Sequence, residues 1–324
     1  MQTNQQICKN LIQEYNAVTF EPITVQEIDL KTFSTQEVIN TLRSEIENIN
    51  TLKGCVYFLS DTTKTEKTLL NAGRVQKGLF LNPHNEISRV SFCANAEKNK
   101  CFKKCLAHGG MFAMESQKKA KRKRTAIFLL RHDYFIARLV VQIARLYIKH
   151  GDKLLIRLNG TTDMFKLIQI IYRLFPFIQF NEYTKIGAYY GRDVVNGFDN
   201  ITRIYSGSNE TEELYKETVK QINEGRNVSI AVNTANRSTD KWFPIQNKDA
   251  RVIDYDKHDD RTIATQGEIG FLSSKATNKD DRLAIENKKH SFFFNQKAFI
   301  NLLVDTNKFN PCFNNAEQYK DFMK

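Results

Sequence analysis

The feature that most constrains this chain is the alternation of short apolar runs with amphipathic stretches from His132 onward. His132 to His150 carries Phe135, Leu139, Val140, Ile143, Ala144, Leu146 and Tyr147 at helical spacing and stops at Gly151; Leu154-Leu155-Ile156-Arg157-Leu158 follows as a buried strand. Met164 to Phe175 reads as a helix halted by Pro176, with Phe177-Ile178-Gln179-Phe180 as the next strand. Ile201 to Tyr205 is a strand, Glu210 to Glu224 a helix ending at Gly225, and Val228 to Val232 and Arg251 to Asp254 are further strands. Strand, helix, strand at this pitch specifies parallel βα units. The expected fold class is α/β, with parallel βα units forming a partial or complete (β/α) barrel.

Upstream, residues 1–50 read as an N-terminal helical extension, with Thr35 capping a helix that carries Val38, Ile39, Leu42, Ile46 and Ile49. Residues 51–290 form the barrel-like domain, which opens with strand-like runs at Cys55–Leu59 and Lys77–Pro83 and holds a cysteine-rich loop at 91–115. Residues 291–324 form a C-terminal helical tail. In parallel α/β architectures side chains converge where strands end. The loops beginning at Asn159, Asn181, Ser206, Asn233 and Asp254 are therefore expected to share one mouth.

Composition narrows the setting. No apolar run reaches the roughly 20 residues that a bilayer span needs, and Met1-Gln2-Thr3-Asn4-Gln5-Gln6 lacks the basic and apolar parts of a secretory leader. A reducing cytoplasm is the expected location, with no membrane partner. The net charge of +12 favours polyanionic partners, nucleic acid first among them. Lys118, Lys119, Lys121, Arg122, Lys123 and Arg124 place six cations in seven residues. That run is either a solvated face or a phosphate-contacting stretch.

Six cysteines are too sparse for a disulfide scaffold, and Cys8, Cys55 and Cys312 stand alone. Cys93, Cys101 and Cys105 crowd into thirteen residues as C-x7-C-x3-C, with His108 three positions on. Three thiolates with an open corner suit a [4Fe–4S] cluster; three thiolates with His108 suit zinc. Lys98, Lys100, Lys103 and Lys104 would offset the charge of such a centre. The plain alternative is three unrelated reduced thiols.

Several blocks in order resemble the gene product 88 family of phage and plasmid proteins. They are Asn71-Ala72-Gly73 and Gly78 to Pro83, then Cys93, Cys101, Cys105, Ala107 and Gly109, then Arg124-Thr125. Arg157 to Asp163 follows, then Tyr183-Thr184-Lys185, the aspartate-rich turn Asp254 to Arg261, and Gly270 to Lys275. The resemblance spans roughly residues 70–275 and implies a phage or mobile-element setting, in the host cytoplasm. Leu106 stands where the family has an aromatic, Asn159 where it often has His, and its Gly-Asp pair is loosened to Gly160 and Asp163.

Among the strand-end residues, Asp163 is placed to act as base, nucleophile or metal ligand, or to cap the helix that follows. Arg157 lies inside an apolar strand and needs an anion, either Glu182 or a substrate phosphate or carboxylate. Asn159 and Lys185 complete the candidate catalytic set; Tyr183, Thr184, Ser206 and Asn233 are candidate cofactor contacts, and Tyr189-Tyr190 could stack a base. Asp254, Asp256, His258, Asp259 and Asp260 read as a solvated acidic turn, or else as carboxylates for Mg²⁺ or Zn²⁺. Phosphate-loop, dinucleotide, zincin and nucleophile-elbow motifs do not occur. The expected function is a metal-centre enzyme acting on nucleic acid or a nucleotide, for example in base modification. By fold analogy it would use a cluster with S-adenosylmethionine, or work as a transglycosylase with Asp163 as nucleophile. The rival reading is a nucleic-acid-binding protein whose metal only folds the cysteine loop.

Overall fold

A computed structural model describes residues 2–93, 95–99, 101–187, 198–232, 252–256, 259–262, 264, 267–273, 280, 283 and 294–307. Its centre is one eight-stranded sheet of β1 (Leu59–Ser60), β2 (Val75–Leu79), β3 (Leu154–Arg157), β4 (Gln179–Thr184), β5 (Ile201–Ser206), β6 (Val228–Val232), β7 (Val252–Asp254) and β8 (Ile269–Ser273). The spatial order is β1-β2-β3-β4-β5-β6-β8-β7. β1 and β2 pair antiparallel, and every other neighbouring pair is parallel. Parallel neighbours need long crossovers. Helices α4 (Glu115–Leu130) and α5 (His132–His150) lie between β2 and β3, α6 (Phe165–Leu174) between β3 and β4, and α7 (Glu212–Asn223) between β5 and β6.

Local signals start and stop these elements where the spacing requires. Thr35 Oγ1 accepts from Val38 N at 3.2 Å to open α2 (Gln36–Thr51), and Ile39, Leu42, Ile46 and Ile49 are its buried stripe. Gly151, at φ +57°, ends α5. The N-terminal helices do not stand apart, because Cys8 and Leu11 of α1 (Asn4–Tyr15) join the same core as α2, α5 and β3. α3 (Thr63–Ala72) packs on β2, and α8 (Gln296–Asp305) covers the far strands, with Phe299 and Leu302 against Val228, Ile230 and Phe271. The remainder of the expected C-terminal tail beyond residue 307 lies outside the described residues.

β4 differs from expectation. It runs on to Thr184, so Asn181, Glu182, Tyr183 and Thr184 are strand residues and not a loop. Their polarity is tolerated because each finds a partner across the sheet. Glu182 accepts from Leu158 N and Asn159 N, both at 2.9 Å, and from Tyr172 Oη at 2.8 Å. Asn181 donates to Asp259 O at 2.7 Å. The Cys55–Leu59 run is likewise mostly non-strand, with Leu59–Ser60 alone pairing.

The sheet is curled. Tyr255 N still bonds β8 at Phe271 O, at the β7 edge, yet Asp259 reaches Gln76 on β2 (3.1 Å) and Arg157 on β3 (2.9 Å). In a flat sheet β7 and β2 stand six strand spacings, about 29 Å, apart. Four residues span at most about 14 Å, and two side chains close only part of the rest. Residues 259–262 therefore lie on the concave side, where Gln76, Arg157, Asn181 and Tyr183 supply a polar lining. The hydrogen-bonded ladder keeps β1 and β7 as its two edges among the described residues, so the strands do not close on themselves there.

Candidate functional site at the strand ends

The loop after β3 is built by backbone capture. Glu182 grips its first two N–H groups, Gly160 N bonds Leu79 O at 3.0 Å, and Asn159 Oδ1 accepts from Met164 N and Thr162 Oγ1, each at 3.0 Å. A side chain at Gly160 would collide with the Phe80 ring and with Leu79 O, which is why this close approach takes glycine. Asn159 thus supports the entry to α6 and is buried, while Asp163 caps nothing among the described residues. The Asp163 carboxylate turns to β4, where Oδ2 accepts from Thr184 Oγ1 (3.0 Å) and Lys185 N (2.9 Å).

The cysteine segment pairs with this loop. Asp163 N bonds Phe92 O at 2.8 Å, and Cys93 and Asp163 form an isolated parallel bridge. Residues 101–113 continue as three short 3-10 turns. Cys93 Sγ lies 3.9 Å from Thr161 O, Cys101 Sγ 3.8 Å from Ala96 O, and Ala107 N donates to Cys105 Sγ at 3.5 Å. His84, at φ +36° in the left-handed region that non-glycine residues rarely adopt, turns its N–H onto the Cys93 sulfur.

Burial raises all three thiols, Cys93 to about 12 and Cys105 to about 11. Each also feels the others or Asp163. Lys185 pulls Cys101 back down and Lys121 does the same for Cys105. Burial lowers both lysines in turn. Asp163 is raised to about 6, chiefly by burial, against the pull of Lys185 N and Thr184. Thiols this high are protonated at neutral pH and are poor nucleophiles. Among the described residues no three His, Cys, Asp or Glu side chains already stand in a metal-holding arrangement.

The structure brings Cys93, Cys101, Cys105, Asp163, Thr184, Lys185 and Ser206 together; Lys185 Nζ donates to Ser206 O at 2.9 Å. It does not bring His108 to the sulfurs as a bonded partner: its Nδ1 is 4.0 Å from Glu86, and the side chain is 38% exposed. Tyr183 and Arg157 lie deeper, on the concave lining. The anion of Arg157 is Asp259, not Glu182, and its guanidinium stacks on the Tyr183 ring at 4.5 Å. At its end, the aspartate-rich turn is not solvated. Asp259 and Asp260 are each 1% exposed, the latter 3.8 Å from Arg74. Asn233, His258, Tyr189, Tyr190, Lys100 and Cys312 lie outside the described residues.

The basic run is largely internal. Lys121 is buried and donates to Ala107 O at 2.7 Å, and Arg124 is buried against the carbonyls of Tyr57 and Phe80. Arg122 pairs with Glu45 and Glu115, and Lys123 stands 3.8 Å from Glu45. Lys119 is exposed and Lys118 half-buried. Lys98, expected beside the cysteines as a counter-charge, pairs with Glu213 instead. Sequence reasoning missed His84 and the inward role of Lys121; the Pro83-His84 turn before the cysteines was the one local signal. Beside Lys185, a cleft of about 390 Å³ opens between Asn95, Gly187, Leu214, Glu217 and Arg226.

Fold and site define an α/β protein in which a cysteine loop packs on the strand-end loops of a curled, mostly parallel sheet. The chain belongs to the gene product 88 family, whose family model matches residues 57–288. Neither a curated protein nor a solved structure matches it at a significant level.

Proposed function

We propose that the protein is a metal-centre enzyme. In this reading Cys93, Cys101 and Cys105 hold an iron–sulfur or zinc centre at the mouth of an open βα half-barrel, and the chain serves a phage or other mobile element. The observation that carries it is the setting of the three sulfurs. Each is half-buried beside a positive or N–H donor: His84 N at Cys93, Lys185 at Cys101, and Lys121 with Ala107 N at Cys105. Such donors favour thiolate over thiol, while burial alone opposes it. A bound cation resolves the conflict, because metal binding deprotonates thiols that the protein alone leaves protonated.

A metal there supplies Lewis-acid or redox chemistry. The chain's own groups then bind and orient substrate: Lys185 lines the 390 Å³ cleft and interacts with Cys101, and Asp163 is the carboxylate beside it, bonded to Lys185 N. A nucleotide or nucleic-acid substrate is favoured by the net charge of +12. The inward cations of α4 take no part in that attraction. S-adenosylmethionine belongs to the iron–sulfur version.

Anaerobic purification followed by iron, sulfide and zinc analysis tests the reading. The expected result is one centre per chain, brown if iron–sulfur and colourless if zinc, lost in each of Cys93→Ala, Cys101→Ala and Cys105→Ala. Folded, metal-free wild-type protein that takes up neither metal would overturn it.

A further inference from the structure

A second cavity, of about 480 Å³, shares no lining residue with the cleft beside Lys185. Three segments enclose it: the 16–22 stretch after α1, Asn50 and Lys53 where α2 ends, and Tyr134 and Arg138 on α5. Bonds between distant parts of the chain hold its walls in place. The Asn50 amide exchanges two hydrogen bonds with the Ile23 backbone, at 2.9 and 2.8 Å, and Arg131 donates to Glu21 O at 2.8 Å and Pro22 O at 2.6 Å. Tyr134 Oη donates to Lys53 O at 3.4 Å, and the Phe20 and Tyr134 rings meet edge to face with centroids 5.1 Å apart. A side chain at Gly54 would strike both rings.

The charge of this cavity has one sign. Lys53 and Arg138 line it, and no carboxylate does among the described residues. Glu14 and Glu21, which flank the first segment, act on Tyr15 and Arg131 instead. Arg138 makes no ion pair or hydrogen bond among the described residues, although its Nε is buried. A buried guanidinium N–H without an acceptor carries a desolvation cost that an incoming anion removes. Beside the cations stand the Phe20 and Tyr134 rings, and Asn16 and Thr19 bring an amide and a hydroxyl.

We propose that this cavity binds one nucleotide, with its phosphate on Arg138 and Lys53 and its base against Phe20 and Tyr134. The planar fork of an arginine suits phosphate oxygens, and an aromatic wall accepts the face of any base. The Asn16 amide offers both a donor and an acceptor to a base edge. The volume lies within the roughly 300–1,000 Å³ of small-ligand sites. A free mononucleotide and an unstacked residue of a single strand offer the same chemistry, and the test separates them. The site uses none of the residues of the metal-centre reading, so failure of either leaves the other standing.

Equilibrium dialysis of the full chain against AMP, adenosine, ribose 5-phosphate and a short oligoadenylate tests the proposal. AMP should bind at least about tenfold more tightly than adenosine or ribose 5-phosphate, each of which lacks one half of the recognition. Arg138→Gln should weaken AMP binding by at least about tenfold, with Arg138→Lys recovering part of the loss. Phe20→Leu should weaken AMP by at least about fivefold and leave ribose 5-phosphate as in wild type. Circular dichroism checks the fold of each variant, and the Phe20→Leu pattern decides the matter should Arg138→Gln misfold. Displacement of AMP by the oligoadenylate would identify a strand residue as an occupant, and failure to displace it would restrict the site to free nucleotides. AMP binding that survives Arg138→Gln but is lost in Arg226→Gln would place the nucleotide in the cleft beside Lys185 and overturn the assignment. Equal affinity for AMP and ribose 5-phosphate, or no binding of AMP by wild type, would overturn it as well.

Discussion

Replacing Asp259 by Asn should be among the most damaging single changes in the chain. Asp259 is 1% exposed, and its Oδ2 accepts from Arg157 Nη1 at 2.9 Å and Gln76 Nε2 at 3.1 Å. Oδ1 accepts from Tyr183 Oη at 3.3 Å and stands 3.6 Å from Arg261 Nη2. The amide keeps the shape and removes the charge that the buried Arg261 and the half-buried Arg157 guanidiniums share. Breaking such a pair from one side costs about 3–5 kcal/mol, because the stranded cations keep their desolvation penalty. Arg261 retains Tyr183 Oη and Tyr255 O, which places the expected loss near the lower end of that range. Urea unfolding followed by circular dichroism measures it, and hydrogen exchange should show residues 259–262 losing protection. Adding Arg157→Met should return part of the loss, since a neutral side chain of similar length no longer needs the carboxylate. A loss below about 1 kcal/mol would mean the pair behaves like a surface ion pair, and the account of the strap that crosses the concave side would be wrong.

Burial holds a proton on Asp163 up to about pH 6, whereas the unfolded chain releases it near 3.8. The stability of the metal-free protein carried by this group is therefore present below the lower value and lost as pH rises through the upper one, by about 3 kcal/mol. Urea midpoints of wild type and Asp163→Asn in chelator should diverge between pH 4 and 7, the variant gaining; parallel curves would refute this. Gly270→Ala drives a methyl into the Tyr255 ring, 2.0 Å from an added Cβ, and should cost about 1–3 kcal/mol in thermal or urea unfolding. Lys121→Met should leave the metal-free fold within about 1.5 kcal/mol of wild type, since the swap keeps the buried stem, yet lower metal occupancy; unchanged occupancy would count against its role as a counter-charge. Lys119→Gln, at the exposed end of the same helix, should change the salt slope of DNA binding by about 0.9 at most if Lys119 touches a phosphate, while Lys121→Met should leave that slope unchanged.

Much of this protein is written in local pattern. The 3.6-residue spacing in α2 and α5, the Thr35 cap and the Gly151 stop are decided within one or two helical turns, so the sequence alone determines them. The parallel sheet follows from the strand and helix alternation, since parallel neighbours need crossovers of this length. The crowding of Cys93, Cys101 and Cys105 is visible in their spacing, and Asp163 is visible as a residue after a strand. What the tertiary structure decided are the polar and charged positions. Asn181 and Glu182 read as loop because a polar residue in a strand is tolerated only when a distant partner satisfies it, here Asp259 and the loop after β3. Arg157 finds its anion 102 residues away. Lys121 and Arg124 look solvated in the sequence, yet they turn inward onto carbonyls 14, 44 and 67 residues distant. A charge carries no label for burial: its cost depends on which groups the folded chain brings within hydrogen-bonding distance, and those groups are chosen by topology and not by neighbours in sequence.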